Sequence, residues 1–282
     1  MQTRDTQPSP GESDLSTWAD AVEAACPGWR CAVYRSTAST QALAKQAVAA
    51  GPAESSRVWV ADEQTAGRGR RDRVWASPAG AGVWASLAPK VDPSAEVSPV
   101  AWCLVGALAA ARAVDRALGG ARTRLKWPND VYVDGCKIAG VLAETVATAQ
   151  VSAAVLGVGI NTRLPEVGVA PPGARPVDVH GLGGDADRLA LLIELVRQVQ
   201  RAAGLAGSDP GALADEWRAR TAMLGRTFRF AWPVGDGYDG VSGEVIDLDP
   251  SAGLVVRTDR SIVAVPPSAS VLDYDAAFGA DR

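Results

Sequence analysis

The sequence predicts an α/β fold, α+β in the sense that a smaller all-β unit is set apart at the C-terminal end. Two patterns carry that expectation. Between about Tyr34 and Thr221, short strand-like runs alternate with longer segments whose apolar residues recur every three to four positions. After Gly225 the helical pattern stops, and short β-rich pieces follow, separated by turn residues. A chain of 282 residues, 47% hydrophobic and 21% charged, is ordinary globular composition with ample material for a core.

Residues 1–13 are polar and turn-rich, so residues 1–30 read as a partly disordered extension too short for a DNA-binding domain of its own. Ser39-Thr40 followed by QALAKQAVAAG predicts an N-capped helix ending at Gly51. Val58–Ala61 and Gly82–Ala88 read as strands on either side of a Gly/Arg loop. Pro99–Leu118 is a strong amphipathic helix stopped by Gly119-Gly120. Next come Thr123–Lys126, then a hairpin of Val131–Val133 and Lys137–Glu144 about the turn Asp134-Gly135, then the strand Val151–Ile160. Residues 163–184, rich in Pro and Gly, read as a mobile surface loop. Asp187–Ala203 and Gly211–Thr221 are helices. The pieces Thr227–Ala231, Gly240–Leu248, Gly253–Thr258, Ile262–Val265 and Ser270–Asp273 predict a small barrel or sandwich. The boundaries that follow are 1–30, 31–224 and 225–282.

Charge and composition exclude several functions. A formal net charge of -4 argues against coating nucleic acid, which needs a cationic surface. The only histidine, His180, leaves no two-histidine zinc site and makes a Ser-His-Asp hydrolase improbable. Lysine is rare (Lys45, Lys90, Lys126, Lys137), and none follows a glycine, so no phosphate-binding G-x-x-x-x-G-K loop is present. The longest apolar run, Pro99 to Ala111, falls short of the ~20 residues a bilayer span needs, so no membrane partner is expected. Four cysteines without a C-x-x-C pair and no secretory segment read as reduced thiols in a cytoplasmic protein.

Three segments look chemical. QTAGRGRRDRVW, Gln64–Trp75, puts Arg68, Arg70, Arg71 and Arg73 in one loop with Gly67 and Gly69. Guanidinium forks suit phosphate and carboxylate oxygens, and their mutual repulsion predicts a loop that stays mobile until an anion fills it. LKWPND runs through the hairpin into KIAGVLAE, where Lys137 sits in an apolar strand ahead of Ala139-Gly140. An inward lysine there needs an anion partner, whereas strand parity alone leaves inward and outward equally open. GVGINT, Gly157–Thr162, clears one sheet face at alternate positions and ends at Asn161. Taken singly, each has a plainer reading: a solvated loop, an edge-strand lysine with an Asn-Asp turn, and a β-bulge. Gly235, Gly237 and Gly240 spell G-x-G-x-x-G, but a strand-like VSGEVIDLD follows where a dinucleotide fingerprint must open a helix.

In this order, QTAGRGRR, KWPND, KIAGVLAE and GVGIN resemble the biotin protein ligases, across residues 34 to 273. The resemblance implies a core like that of class II aminoacyl-tRNA synthetases followed by a small SH3-like β-barrel. It implies a two-step reaction: biotin and ATP give biotinyl-5′-AMP and pyrophosphate, and biotin then passes to one lysine of a carrier domain. It also implies the site. Lys137, Arg70 and Arg68 carry the chemistry, with Arg70 and Lys137 near the biotin carboxylate and α-phosphate and Arg68 in the loop that closes on the adenylate. Arg73 assists with phosphate and Asn161 faces the adenine. Ser39, Thr40 and Gln64 hydrogen-bond the biotin head group, Gly67 and Gly140 line the pocket, and Trp75 covers the acyl tail. Asp130 helps bind Mg²⁺, and the loop at 163–184 matches one that orders over the adenine. The implied partner is the biotin carboxyl carrier domain of an acyl-CoA or pyruvate carboxylase, with a homodimer compatible.

Two positions depart from the family pattern. Gln41 stands where Asn is usual after Ser-Thr, and Asp72 where Gly is frequent. Lipoate ligase is the nearest rival, and an inactive biotin-sequestering regulator is a rival of another class. Retention of Arg68, Arg70 and Lys137 weighs against the regulator. The chain is not itself a biotinylated carrier, since neither Met1 nor Met223 flanks a lysine.

Overall fold

The computed structural model describes residues 15–71, 73–92, 94–148, 152–165, 175–234 and 237–274. Its main body is a seven-stranded mixed sheet of β1 (Trp29–Thr37), β2 (Ser56–Gln64), β3 (Gly82–Ala88), β4 (Arg124–Lys126), β5 (Asp130–Val133), β6 (Cys136–Ala147) and β7 (Ser152–Asn161). The order across the sheet is β1-β2-β3-β7-β6-β5-β4. Only β1 and β2 run parallel; every other pairing is antiparallel.

Strand alternation assigns the two faces. Val83, Ala85 and Leu87 of β3 and Leu156, Val158 and Ile160 of β7 join the main core with α3 (Pro99–Ala117), α4 (Arg188–Ser208) and α5 (Pro210–Arg220). The central helix α3 begins at Ser98, whose side chain accepts from the Ala101 amide, with Pro99 in the first turn. Its Gly106 lies directly on the sheet, where an added Cβ would come within 2.5 Å of Val141 Cγ1. On the opposite face, α2 (Thr40–Ala49) packs Ala44 and Val48 against Trp59, Ala88, Val146 and Val155. That face is covered only in part, because β3, β6 and β7 place Ser86, Gly140, Gly157 and Gly159 on it.

Order begins earlier than the sequence pattern predicts. Helix α1 (Trp18–Ala25) buries Trp18 and Val22 in the main core, and β1 starts at Trp29. One eight-residue helix gives too short a periodic signal to be read unaided. Residues 1–14 lie outside the described residues.

The 163–184 expectation needs correction over its described second half. Val177 N donates to Lys137 O, Lys137 N donates to Arg175 O, and Val179, fully buried, donates its amide to Asn161 O. Residues 175–179 are therefore anchored beside β6 and β7, with backbone pairing that a Pro/Gly count does not reveal. Residues 166–174 lie outside the described residues.

The C-terminal strands β8 (Thr227–Val234), β9 (Gly237–Asp249), β10 (Gly253–Arg257), β11 (Ile262–Val265) and β12 (Ser270–Val271) form an antiparallel sheet in the order β11-β10-β9-β8-β12. The pairing is open, without closure between β11 and β12 among the described residues. Phe228, Phe230, Val245 and Leu248 belong to the same buried cluster as the body. The G-x-G-x-x-G stretch runs into β9, as a strand and not a helix.

Asp115, near the end of α3, pins the entry to β4. Its Oδ1 accepts from the amides of Arg122 and Thr123, both at 2.9 Å, and its Oδ2 meets Arg220 Nη1 at 2.5 Å. Replacing it by alanine orphans two amides and half of a mostly buried ion pair, while Arg220 keeps Glu216. Asp115→Ala should lower unfolding stability by about 2–3 kcal/mol in a urea titration; a change below the error of extrapolation would show that β4 is held by packing alone.

Candidate active site

The chemistry-bearing segments meet at one cavity of about 300 Å³ on the α2 face of the sheet. Its floor is clear because β6 and β7 carry glycine there. A Cβ at Gly140 would lie 2.8 Å from the Trp75 ring, and one at Gly159 would lie 2.5 Å from Trp75 Nε1. The Trp75 indole thus rests on bare backbone, edge-on to Trp84 at 6.5 Å between ring centres.

Lys137 points into this cavity. Register decides what strand parity left open: Val131 pairs with Ala139 but Tyr132 pairs with Lys137, so Ile138 is an extra residue. The bulge puts Lys137 and Gly140 on the same face. Lys137 Nζ lies 2.6 Å from Asp130 Oδ1 and 5.1 Å from the Trp75 ring centre. The lysine therefore has the anion partner that an inward position requires, and it comes from the KWPND segment.

The arginine loop folds as a hairpin. Gly69 N donates to Arg73 O, Trp75 N donates to Gly67 O, and Arg68 bridges to Val74. Gly67 permits the fold-back, since a Cβ there would lie 2.4 Å from Trp75 O. Arg71 adopts φ 54°, a left-handed conformation that turns the loop at its tip. Two of the loop arginines, Arg70 and Arg71, rest on neutral acceptors. Arg70 donates to Asn129 Oδ1 (3.3 Å), Pro267 O (2.5 Å) and Ala269 O (2.8 Å); Arg71 donates to Ala231 O (2.9 Å) and Ser268 O (2.8 Å). Burial pushes the Arg70 guanidinium below its ordinary value, opposed by the neighbouring Asp130 carboxylate. Arginine stays protonated regardless. Asp72 lies outside the described residues.

The head of the cavity is polar. Gln64 Oε1 accepts from Thr40 N at 2.9 Å and from Thr40 Oγ1 at 3.1 Å, and Gln64 Nε2 donates to Ser77 Oγ at 2.9 Å. Ser39 Oγ, Trp75 Nε1 and Trp127 Nε1 are buried with no hydrogen-bond partner among the described residues, and all three residues line the cavity. Buried polar atoms without partners are costly; Trp75 Nε1 lies against Gly159, while Ser39 Oγ belongs to the residue beside Thr40 at the polar head.

Of the residues singled out in the sequence, Ser39, Thr40, Gln64, Arg68, Arg70, Arg73, Trp75, Asp130, Lys137 and Gly140 line the cavity. Gly67 shapes the loop from behind. Asn161 is also off the wall: its Nδ2 donates to Val177 O at 3.0 Å. Sequence reasoning missed Ser86, Lys126 and Asn129 as wall residues, and read Arg71 only as one of the loop arginines and Gly157 and Gly159 only as clearing one sheet face. Lys126, Asn129 and the two glycines stood in segments already marked. Ser86 gave no signal beyond being polar in an apolar strand. Among the described residues, six cationic side chains (Arg68, Arg70, Arg71, Arg73, Lys126, Lys137) surround the cavity against a single carboxylate, Asp130. The arrangement can hold two anionic groups side by side above an apolar slot.

Comparison with known proteins agrees with this geometry. Residues 33–161 match the model of the biotin/lipoate A/B protein ligase family. The biotin--[acetyl-CoA-carboxylase] ligase of Mycobacterium tuberculosis is 35% identical, over 89% of this chain and 95% of that protein. The enzyme of the same name from Paracoccus denitrificans is 33% identical, over 81% and 96%. The fold is similar to that of the Aquifex aeolicus biotin protein ligase solved in complex with biotin and ATP, with a TM-score of 0.70 at 23% identity, covering 86% of this chain and 98% of that one. With relatives that similar over nearly their whole length, the chain belongs to the biotin protein ligase family.

Proposed function

We propose that this chain activates biotin with ATP to biotinyl-5′-AMP, releasing pyrophosphate, and transfers biotin to a lysine of a biotin carboxyl carrier domain. The observation that carries the reading is the convergence of Arg68, Arg70, Arg73 and Lys137 on the cavity whose head holds Ser39, Thr40 and Gln64. In this reading residues 31–224 are the catalytic domain, with a core of the class II aminoacyl-tRNA synthetase kind. Residues 225–282 are an SH3-like unit that supplies the carbonyls of Pro267 and Ala269 to Arg70.

In the first step a carboxylate oxygen of biotin attacks the α-phosphorus, and the bond to the pyrophosphate oxygen breaks with its electron pair. Both reactants are anions, so the barrier falls if fixed cations hold them together. In this reading Lys137 and Arg70 meet the biotin carboxylate and the α-phosphate, and Arg68 and Arg73 balance the phosphates. Arg70 now rests on neutral carbonyls, which an anion outcompetes. Trp75 lies along the acyl tail and keeps water from the anhydride. The adenine extends toward Asn161 and residues 175–179. In the second step the neutral amine of the carrier lysine attacks the acyl carbon, AMP leaves with the anhydride oxygen, and the amine's extra proton goes to solvent.

Magnesium fits as an ion carried by the nucleotide. Asp130 offers a carboxylate on the cavity wall, while among the described residues no group of three or more His, Cys, Asp or Glu side chains could hold a metal alone. Asp130 would hold it, and its chemistry when bound is to offset pyrophosphate charge.

The direct test is incubation with biotin, Mg-ATP and an apo carrier domain, read as a single biotin-sized mass increase on the carrier; no increase overturns the reading. Lys137→Ala should slow adenylate formation on the order of 100-fold or more with the fold intact, and unchanged pyrophosphate release would remove Lys137 from the chemistry. Arg70→Gly should leak free biotinyl-AMP that labels bystander lysines. Retention as tight as in the parent would show that Arg70 is not a clamp. Gly159→Ala should displace the Trp75 ring and weaken biotin binding on the order of tenfold or more by calorimetry; parental affinity would mean that the ring is not part of the slot.

A further inference from the structure

Gln41 is the place where the chain departs from its family next to Ser39 and Thr40, and it is almost completely buried. Its Nε2 faces three acceptors: Glu144 Oε2 at 2.9 Å, Val155 O at 3.2 Å and Leu142 O at 3.4 Å. Glu144 is itself held by Lys45, whose Nζ lies 2.5 Å from its Oε1. With acceptors on that side, the amide has one orientation, and its Oε1 must face Ser86 Oγ at 2.9 Å. Gly157 makes the fit possible, since a Cβ there would come within 2.6 Å of Gln41 Oε1.

Each hydroxyl in this network has one hydrogen to give. Oε1 can only accept, so Ser86 gives its one hydroxyl hydrogen to Gln41. The contact of Thr40 Oγ1 with Ser86 Oγ, 2.9 Å, must therefore be donated by Thr40, with Gln64 Oε1 at 3.1 Å as a second acceptor. Thr40 Oγ1 is left with lone pairs only. Its neighbour Ser39 Oγ, buried and without a partner among the described residues, still has its hydrogen to give. Adjacent hydroxyls of opposite sense match a cyclic urea, whose carbonyl sits beside an N–H.

We propose that Gln41 is a positioning residue which, through Ser86, fixes Thr40 as a hydrogen-bond acceptor and so makes the cavity selective for a cyclic urea. The proposal rests on the biotin-activating reading and assigns Gln41 no direct contact with the ligand. It gives the Gln-for-Asn departure a physical meaning: the longer side chain spans from Ser86 to Glu144.

The test is calorimetric binding of biotin and of two isosteric carbamates in which one or the other ureido N–H is replaced by oxygen. The parent should reject on the order of 100-fold the carbamate whose ring oxygen meets the Thr40 lone pairs. In Gln41→Met, Ser86 can turn its hydrogen toward Thr40, and in Ser86→Ala the Ser86 acceptor is gone. In both, the Thr40 hydrogen keeps only the longer contact to Gln64 Oε1 at 3.1 Å, an atom that already accepts from Thr40 N, and is freer to turn to the ligand. Biotin should then weaken on the order of tenfold, and discrimination against that carbamate should shrink by a similar factor, while the KM for ATP stays within about twofold. The double variant should equal either single one, and Ser86→Cys, which keeps a donor, should recover part of the discrimination. An unchanged biotin-to-carbamate ratio in both single variants overturns the assignment. If Gln41→Met does not fold, Ser86→Ala and Ser86→Cys decide alone. Failure of the parent to bind biotin would instead sink the functional reading, and this proposal with it.

Discussion

Like charges gathered in a half-buried cavity repel one another, and that constraint shapes most of what surrounds the site. Among the described residues, six cations surround the cavity with Asp130 as the one carboxylate. The structure answers by pairing Lys137 with Asp130 and by turning Arg70 and Arg71 outward to backbone carbonyls of the C-terminal segment. Carbonyls are weaker acceptors than phosphate or carboxylate oxygens. The resting arrangement therefore satisfies the guanidinium groups without saturating them, and leaves them able to respond to an anionic reactant.

The same contacts tie the C-terminal sheet to the chemistry. Arg70 and Arg71 reach residues nearly two hundred positions away, and Arg218 binds Asp247 and Leu248 O from α5. Ser98, the cap of α3, donates to Pro250 O. The all-β unit is held by hydrogen bonds as well as by the shared core of Phe228, Phe230 and Tyr274. A loop in which Arg70 let go of Pro267 O and Ala269 O would also loosen this junction.

Much of this was legible in the sequence where chemistry is dense and local. The glycine-jointed arginines, KWPND and the alternating glycines of β7 could be read because residue type and spacing alone restrict what they do. The direction of Lys137 could not, because it depends on an extra residue, Ile138, that shifts parity, and bulges leave no mark in an apolar run. Arg71, read only as one of the loop arginines, and Ser86 could not be placed on the wall for a related reason. Their partners, Ser268 and Gln41, are distant in sequence, and only the fold brings them together. Helix α1 was too short to announce itself, and residues 175–179 were hidden because their order comes from backbone pairing to Lys137 and Asn161, which composition does not encode.

The account stands on the cavity joining a carboxylic acid to a nucleotide without help from any acceptor protein. Isotope exchange between labelled pyrophosphate and ATP, run with the purified chain and magnesium in the absence of carrier, measures that step alone. The account predicts label entering ATP only when biotin is present. Exchange that proceeds without biotin, or equally well with a simple fatty acid in its place, would contradict it.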